Sequence, residues 1–182
     1  MGPGPTDAEI IGRVMEGDTE AFGLLVDRYQ GDCVAFAQHM TGSADDSADV
    51  VQESLVRAFK SLGRCRDRDR FRGWLFRIVS NQCKSHLARS QQRRHEPLEA
   101  VDVPAADLPP DAALEADEAR ARIRRALDAL PTNHREALVM KYVTGLSLPE
   151  MSEALEVSVP ALKMRLLRAR HGLRQLLTEV VP

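Results

Sequence analysis

Arg64, Arg66, Arg68, Arg70 and Arg72 stand at every second position of one short stretch, RCRDRDRFR, just ahead of the chain's single tryptophan, Trp74. The two acids between them, Asp67 and Asp69, are too few to neutralise five guanidinium groups. Planar, always-charged donors gathered this densely suit phosphate oxygens, so the first chemistry to consider is binding of a polyanion. A second basic set, Lys163, Arg165, Arg168, Arg170 and Arg174, lies near the C-terminus. Catalytic patterns are absent. There is no glycine-rich phosphate loop, HExxH or GxSxG, and His39, His86, His95, His134 and His171 are scattered. No enzymatic activity, cofactor, metal or small-molecule substrate is expected.

The net charge of −2 over 182 residues conceals strong segregation. Residues 1–56 hold eleven acids against Arg13 and Arg28, whereas 57–95 hold twelve bases against Asp67 and Asp69. Residues 96–119 hold eight acids and no base, and 120–182 hold eleven bases and six acids. Such blocks imply polyanion-facing surfaces next to surfaces that repel polyanions and meet another partner. No apolar run reaches the roughly 18 residues of a membrane span, and the N-terminus MGPGPTDAEII reads as no secretory signal. Cys33, Cys65 and Cys83 are odd in number and widely spaced, which favours reduced thiols and a cytoplasmic location.

These residues must be positioned by helices. Thr6 with Glu9, and Ser43 with Asp46, read as helix N-caps, and Gly17 and Gly63 as stops. The stripe Val50, Val51, Leu55, Ala58, Phe59 and Leu62 predicts one inward face, and Phe71 to about Arg93 predicts a helix with Trp74, Leu75, Ile78, Val79, Cys83 and Leu87 inward. Four prolines between Glu96 and Pro110 break the helical pattern, with helix resuming near Asp111. The expected organisation is all-α: one small helical domain over 1–95, a flexible acidic linker over 96–117 that could lie near basic surfaces, and a second domain over 118–182.

The C-terminal segment LSLPEMSEALEVSVPALKMRLLRARHGLRQLL has helix-turn-helix spacing: Leu148–Leu155, a tight turn at Glu156-Val157-Ser158, then a longer helix capped by Ser158 with Pro160 in its first turn. At about 100° per residue, Leu162, Leu166, Ala169 and Leu173 share one face. Lys163, Met164, Leu167 and Arg168 then point the other way, where a major groove would lie, flanked by Arg165, Arg170 and Arg174 for phosphates.

Three stretches in order resemble the extracytoplasmic-function (ECF) group of bacterial sigma factors. DSADVVQESLVRAFKSL resembles the helix that contacts the clamp helices of the polymerase β′ subunit. FRGWLFRIVSNQCKSHL resembles the segment that melts and reads the −10 promoter element, and the C-terminal fifty or so residues (ALDALPTNHREAL to RQLL) resemble the region that reads the −35 element. The resemblance implies polymerase contacts by Asp49, Gln52 and Glu53. It implies −10 binding and melting by Arg64, Cys65, Arg66, Arg68, Arg70, Arg72, Arg77, Asn81 and Lys84, with Asn81 and the loop near Cys65 forming a pocket for a flipped base. It implies −35 binding by Ser158, Lys163, Met164, Arg165, Leu167, Arg168 and Arg170. The implied partners are core RNA polymerase, through its β′ clamp helices and β subunit, promoter DNA and an anti-sigma factor. Two departures stand out: Cys65 occupies a place where the family often has an aromatic, and Glu156 one where it usually has glycine.

Overall fold

Thr6 and Glu9 open the first helix as a reciprocal cap: the Glu9 N–H donates to Thr6 Oγ1 at 3.3 Å and the Thr6 N–H to Glu9 Oε2 at 2.7 Å. The two satisfy donors that a helix start leaves without partners. The computed structural model describes residues 4–94 and 112–179, and its described residues form helices with no strand. Helix α1 (Asp7–Met15) ends before Gly17, whose φ of 108° only glycine takes readily. Asp18 then caps a short turn into α2 (Phe22–Thr41), and Gly42, at φ 77°, closes that helix. Ser43 caps α3 (Ala44–Lys60) by accepting from the Asp46 N–H at 3.3 Å. Two single-turn 3₁₀ segments, Leu62–Arg64 and Arg68–Arg70, carry the arginine loop into α4 (Phe71–Arg94).

The N-terminal core is a layered contact of α2, α3 and α4. Leu25, Cys33, Phe36 and Met40 meet Val50, Val51 and Ala58, and Phe71, Leu75, Phe76, Val79 and Cys83 fill the space between. Phe36 and Phe76 pack edge to face with centroids 5.8 Å apart, a favoured aromatic geometry. Arg28 and Tyr29 both reach Asp7 and so fasten α1 to α2. The three cysteines are free and buried, and desolvation pushes Cys33 and Cys83 up to about 12 and Cys65 up to about 11, well away from a reactive thiolate.

The second domain comprises α5 (Ala112–Ala129), α6 (Thr132–Tyr142), α7 (Leu148–Leu155) and α8 (Val159–Glu179). Helix α5 begins directly after the last proline, inside the segment assigned to the linker, because AALEADEARAR is rich in good helix formers. The acidic stretch 96–111 lies outside the described residues, and with it the expectation that it visits basic surfaces. Ala137, Met140, Leu146, Met151, Leu162 and Ala169 form the centre of this domain. Ser147 and Glu150 cap α7 reciprocally, and Ser152 Oγ donates to the Val157 carbonyl at 2.6 Å to brace the turn. Helix α7 lies along α4, and α6 touches α2, so the two domains are docked. No helix among the described residues is long and apolar enough to cross a membrane.

Three sequence expectations are corrected. Gly63, expected to stop α3, lies inside the 3₁₀ turn Leu62–Arg64, because α3 already ends at Lys60 with Ser61 closing it. Phe59, placed on the inward stripe of α3, is 39% exposed, because α2 covers only one flank of α3 and Phe59 sits at its rim, edge-on to Phe22 at 5.2 Å. Trp74, expected inside the core, is only partly buried: it leans on Phe71 at 5.7 Å and turns another edge toward a cleft. The turn of the helix-turn-helix places Glu156 at φ 53° and ψ 39°, where a side chain with a Cβ is strained. That conformation costs about 1–2 kcal/mol without glycine, and the largely exposed ion pair of Glu156 with Arg77 offsets little of it. Glu156→Gly is therefore expected to stabilise the protein by about 1 kcal/mol in urea unfolding followed by circular dichroism. A lower midpoint would show that the ion pair outweighs the strain.

Candidate functional site

The arginine loop and the start of α4 enclose a cleft of about 520 Å³, lined by Ser61, Arg64, Arg66, Asp67, Trp74, Arg77, Ile78, Asn81 and Glu153. Asn81 is exposed one turn beyond Arg77, so its amide can reach into this space. Arg64, Arg66, Arg68 and Arg70 are exposed, and only Arg70 is tied within the loop, to Asp67 at 3.1 Å. Cys65 is different: it is buried, with Sγ 3.5 Å from the Asp67 carbonyl, and it does not line the cleft. Its side chain anchors the loop from below, so the sulfur that the resemblance placed beside a captured base faces the protein interior.

Three other residues of the basic set are engaged by the second domain. Arg72 donates to Asp32 at 2.9 Å and to the Thr144 carbonyl, and lies 3.6 Å from Glu150. Arg77 pairs with Glu156 at 2.7 Å, and Lys84 with the buried Glu136 at 2.8 Å. Sequence spacing could not reveal the second-domain partners, Thr144, Glu150, Glu156 and Glu136, which are 52 to 79 positions away and come together only by domain docking.

Along α3, Asp49, Gln52 and Glu53 are exposed. Arg57, 2.9 Å away, holds the Glu53 carboxyl below its usual range. Beside Gln52 opens a shallow apolar depression formed with Phe22, Val26, Leu55, Val56 and Phe59. Val56 and Phe59 were not among the expected contact residues. The only hint in the sequence is that Phe59 closes an apolar stripe already wide enough to bury the helix.

Helix α8 matches its predicted faces closely. Leu162, Leu166 and Ala169 are buried, while Lys163, Met164, Leu167, Arg168 and Arg170 are exposed and Arg165 is intermediate. Ser158 Oγ accepts from the Ala161 N–H at 3.4 Å, in the capping position expected for it. Met164 and Leu167 lie about half exposed among the cations, an arrangement able to touch both base edges and phosphates. A second feature escaped the sequence reading: a largely apolar groove of about 300 Å³ between α5, α6, α8 and the end of α2, lined by Ile123, Leu127, Leu138, Val139, Tyr142, Val143 and Leu173 with His39 and Arg170 at its edge. Among the described residues, no group of acidic, histidine and cysteine side chains is arranged to hold a metal.

Residues 25–94 match the family model of sigma-70 region 2, and residues 120–171 that of sigma-70 region 4. The RNA polymerase sigma-H factor of Pseudomonas aeruginosa is 29% identical over 180 residues, covering 92% of this chain and 91% of its own. The ECF RNA polymerase sigma-E factor of Escherichia coli is 31% identical over 179 residues, covering 92% of each chain. Among solved structures, CnrH in complex with the cytosolic domain of CnrY is similar with a TM-score of 0.72 at 30% identity, over 96% of this chain and 98% of CnrH. The sigma factor RpoE of Bartonella quintana, solved in complex with the anti-sigma factor NepR, shares the fold with a TM-score of 0.65 at 22% identity, over 88% of this chain and 98% of its own. Both sigma-70 regions stand in order on a chain that is similar to these relatives along nearly its whole length, so the protein belongs to the ECF group of bacterial RNA polymerase sigma factors.

Proposed function

We propose that this sigma factor binds core RNA polymerase through α3, reads a −35 element with α8, and captures the opened −10 element with the arginine loop and α4. The observation that carries the reading is the separation of three surfaces of different chemistry on one chain. An acidic and apolar face on α3 suits a protein partner and repels DNA. A basic helix face with Met164 and Leu167 suits a major groove, and a basic cleft with Asn81 and Trp74 at its wall suits unstacked bases. The chain acts by recruitment rather than catalysis, in the cytoplasm where its polymerase works. The apolar groove of the second domain supplies a seat for the polymerase β subunit, and the α3 face and this groove are the surfaces an anti-sigma factor would cover.

Opening is the step that needs its own chemistry. Unpairing and unstacking cost a few kcal/mol per flipped base. That cost is offset when exposed bases enter a pocket and the strand's phosphates meet fixed cations. Asn81 offers donor and acceptor atoms to a base edge, Trp74 offers an apolar wall, and Arg64, Arg66 and Arg68 face the backbone. A helix-turn-helix repressor would need none of these and no acidic α3 face.

The proposal is tested by run-off transcription with purified core polymerase. The wild type is expected to confer promoter-specific initiation. Asp49→Lys with Glu53→Lys is expected to abolish it and to lose core polymerase in pull-down, with an unchanged circular dichroism spectrum. Normal pull-down by the double variant would remove the α3 assignment.

For the −35 element, Lys163→Ala and Arg168→Ala are each expected to weaken binding to the matched sequence by about 1–3 kcal/mol. Arg170→Ala should weaken matched and scrambled sequences alike and lower the salt dependence. Equal losses on both sequences for all three variants would refute the division between base readers and phosphate clamps.

For the −10 element, Asn81→Ala is expected to bind polymerase normally, open paired DNA slowly, and recover on a template with a preformed bubble. Permanganate reactivity of unpaired thymines reports the difference. Equal failure on both templates, or normal opening of paired DNA, would exclude Asn81 from melting.

A further inference from the structure

Helix α7 and the turn that ends it place three carboxylates, Glu150, Glu153 and Glu156, against the surface assigned to strand opening. We propose that this acidic face is an internal stand-in for DNA phosphates, holding the −10 surface closed in the free protein while the −35 helix stays exposed. The inference rests on the sigma-factor reading of Arg72, Arg77 and Asn81.

Glu150 and Glu153 stand three apart on one side of α7, and Glu156, in the turn that follows, reaches the same surface. The Glu150 carboxylate is 3.6 Å from Arg72, and that of Glu156 is 2.7 Å from Arg77. Glu153, between them, forms part of the wall of the Asn81 cleft together with Arg64 and Arg66. A phosphate approaching these guanidiniums and a carboxylate already beside them compete for the same donors. A base entering the cleft meets Glu153.

Two independent features show that the docked position is specific rather than a loose electrostatic encounter. Glu136 of α6 is almost fully buried, and its carboxylate is held by Ser80 and Lys84, both on α4. A buried carboxylate whose hydrogen-bond and ion-pair partners lie on the other domain is tolerable only while the two are docked. At Gly73 the backbones meet: a Cβ there would lie 2.9 Å from the Glu150 carbonyl oxygen and 3.2 Å from its Cα. The absence of a side chain at this one position of α4 is what lets α7 settle onto it.

The contact joins one continuous apolar core to a set of charged pairs at its edge, and those pairs are the part that phosphates can exchange. Burial pushes the Glu153 carboxyl above its usual range, and one of its oxygens makes no hydrogen bond, so this residue gains hydration when α7 leaves. Meanwhile Lys163, Arg168 and Arg170 on α8 remain exposed and able to meet duplex DNA. The free protein is thus competent for −35 contact and closed for −10 capture, and opening follows when phosphates or polymerase displace α7.

The test uses the free, full-length protein. Gly73→Ala adds the obstructing Cβ, while alanine favours α4 itself. It is expected to increase the radius of gyration in small-angle scattering. It is also expected to tighten binding of a single-stranded non-template −10 oligonucleotide by about tenfold or more, as follows when the competent population rises from a tenth or less to most of the molecules. The triple variant Glu150→Gln, Glu153→Gln, Glu156→Gln keeps the cap with Ser147, because glutamine caps as glutamate does. It should tighten oligonucleotide binding likewise, and it decides the matter if Gly73→Ala fails to fold. A Gly73→Ala protein that stays compact, or one that expands with wild-type oligonucleotide affinity, overturns the proposal. Wild-type run-off transcription in parallel separates the two readings. Its absence removes the sigma-factor assignment, whereas normal initiation with unchanged oligonucleotide affinities in both variants removes only the closure.

Discussion

Helix α4 must satisfy two environments with one set of residues. Phe71, Leu75, Phe76, Val79 and Cys83 are fully buried and tie α2 and α3 together. Between them, Asn81 is exposed, and Arg72, Arg77 and Lys84 point to the second domain. The arginine-rich loop feeds the N-terminus of this helix, where the unpaired amides already carry partial positive charge. Cations gathered there are unfavourable by themselves, and the site is correspondingly receptive to anions. In the docked protein Asp32 and the α7 carboxylates provide them. On DNA the phosphates would.

The charge segregation seen along the chain becomes a division of labour in space. Asp45 and Asp46 in the first turn of α3 complement that helix's dipole and need no partner to explain them. Asp49 and Glu53 lie farther along, beyond the reach of the terminal dipole, beside exposed Val56 and Phe59. An apolar centre with a charged rim is the ordinary anatomy of a protein interface. The C-terminal domain mixes the two signs more intimately. Its first helix-turn-helix element, α7, is acidic toward α4, and its second, α8, is basic toward solvent, so adjacent helices favour opposite partners.

Much of this was legible in the sequence, because it depends on local rules. The caps at Thr6 and Ser43, the Gly17 stop and the 3.6-residue periodicity placed the ends of α1, α4 and α7 and the start of α3 to within about a residue or two, whereas α3 stops three residues short of Gly63. The two faces of α8 followed from periodicity alone, since Leu162, Leu166 and Ala169 have no other way to be buried together. The left-handed turn at Glu156 was foreshadowed only by the family resemblance, which usually has glycine at this place. Segregated charge pointed to nucleic acid on one side and a protein partner on the other.

What the sequence could not decide was set by which surfaces meet. Periodicity specifies an inward face but not where the neighbouring helix ends, so it placed Phe59 inside and left its exposed rim unseen. It marked Trp74 as apolar, yet Trp74 spans core and cleft because α4 lies at the edge of its own domain. The inward turn of Cys65 depends on the paired 3₁₀ turns of the loop, whose alternating arginines carry no burial signal. Above all, the partners of Arg72, Arg77 and Lys84 lie in another domain, and Gly73 reads as a mere weakness in a helix until a second backbone is found against it. Local sequence determines each helix and its faces. Long-range packing alone decides which charges are answered within the protein and which are left for a partner.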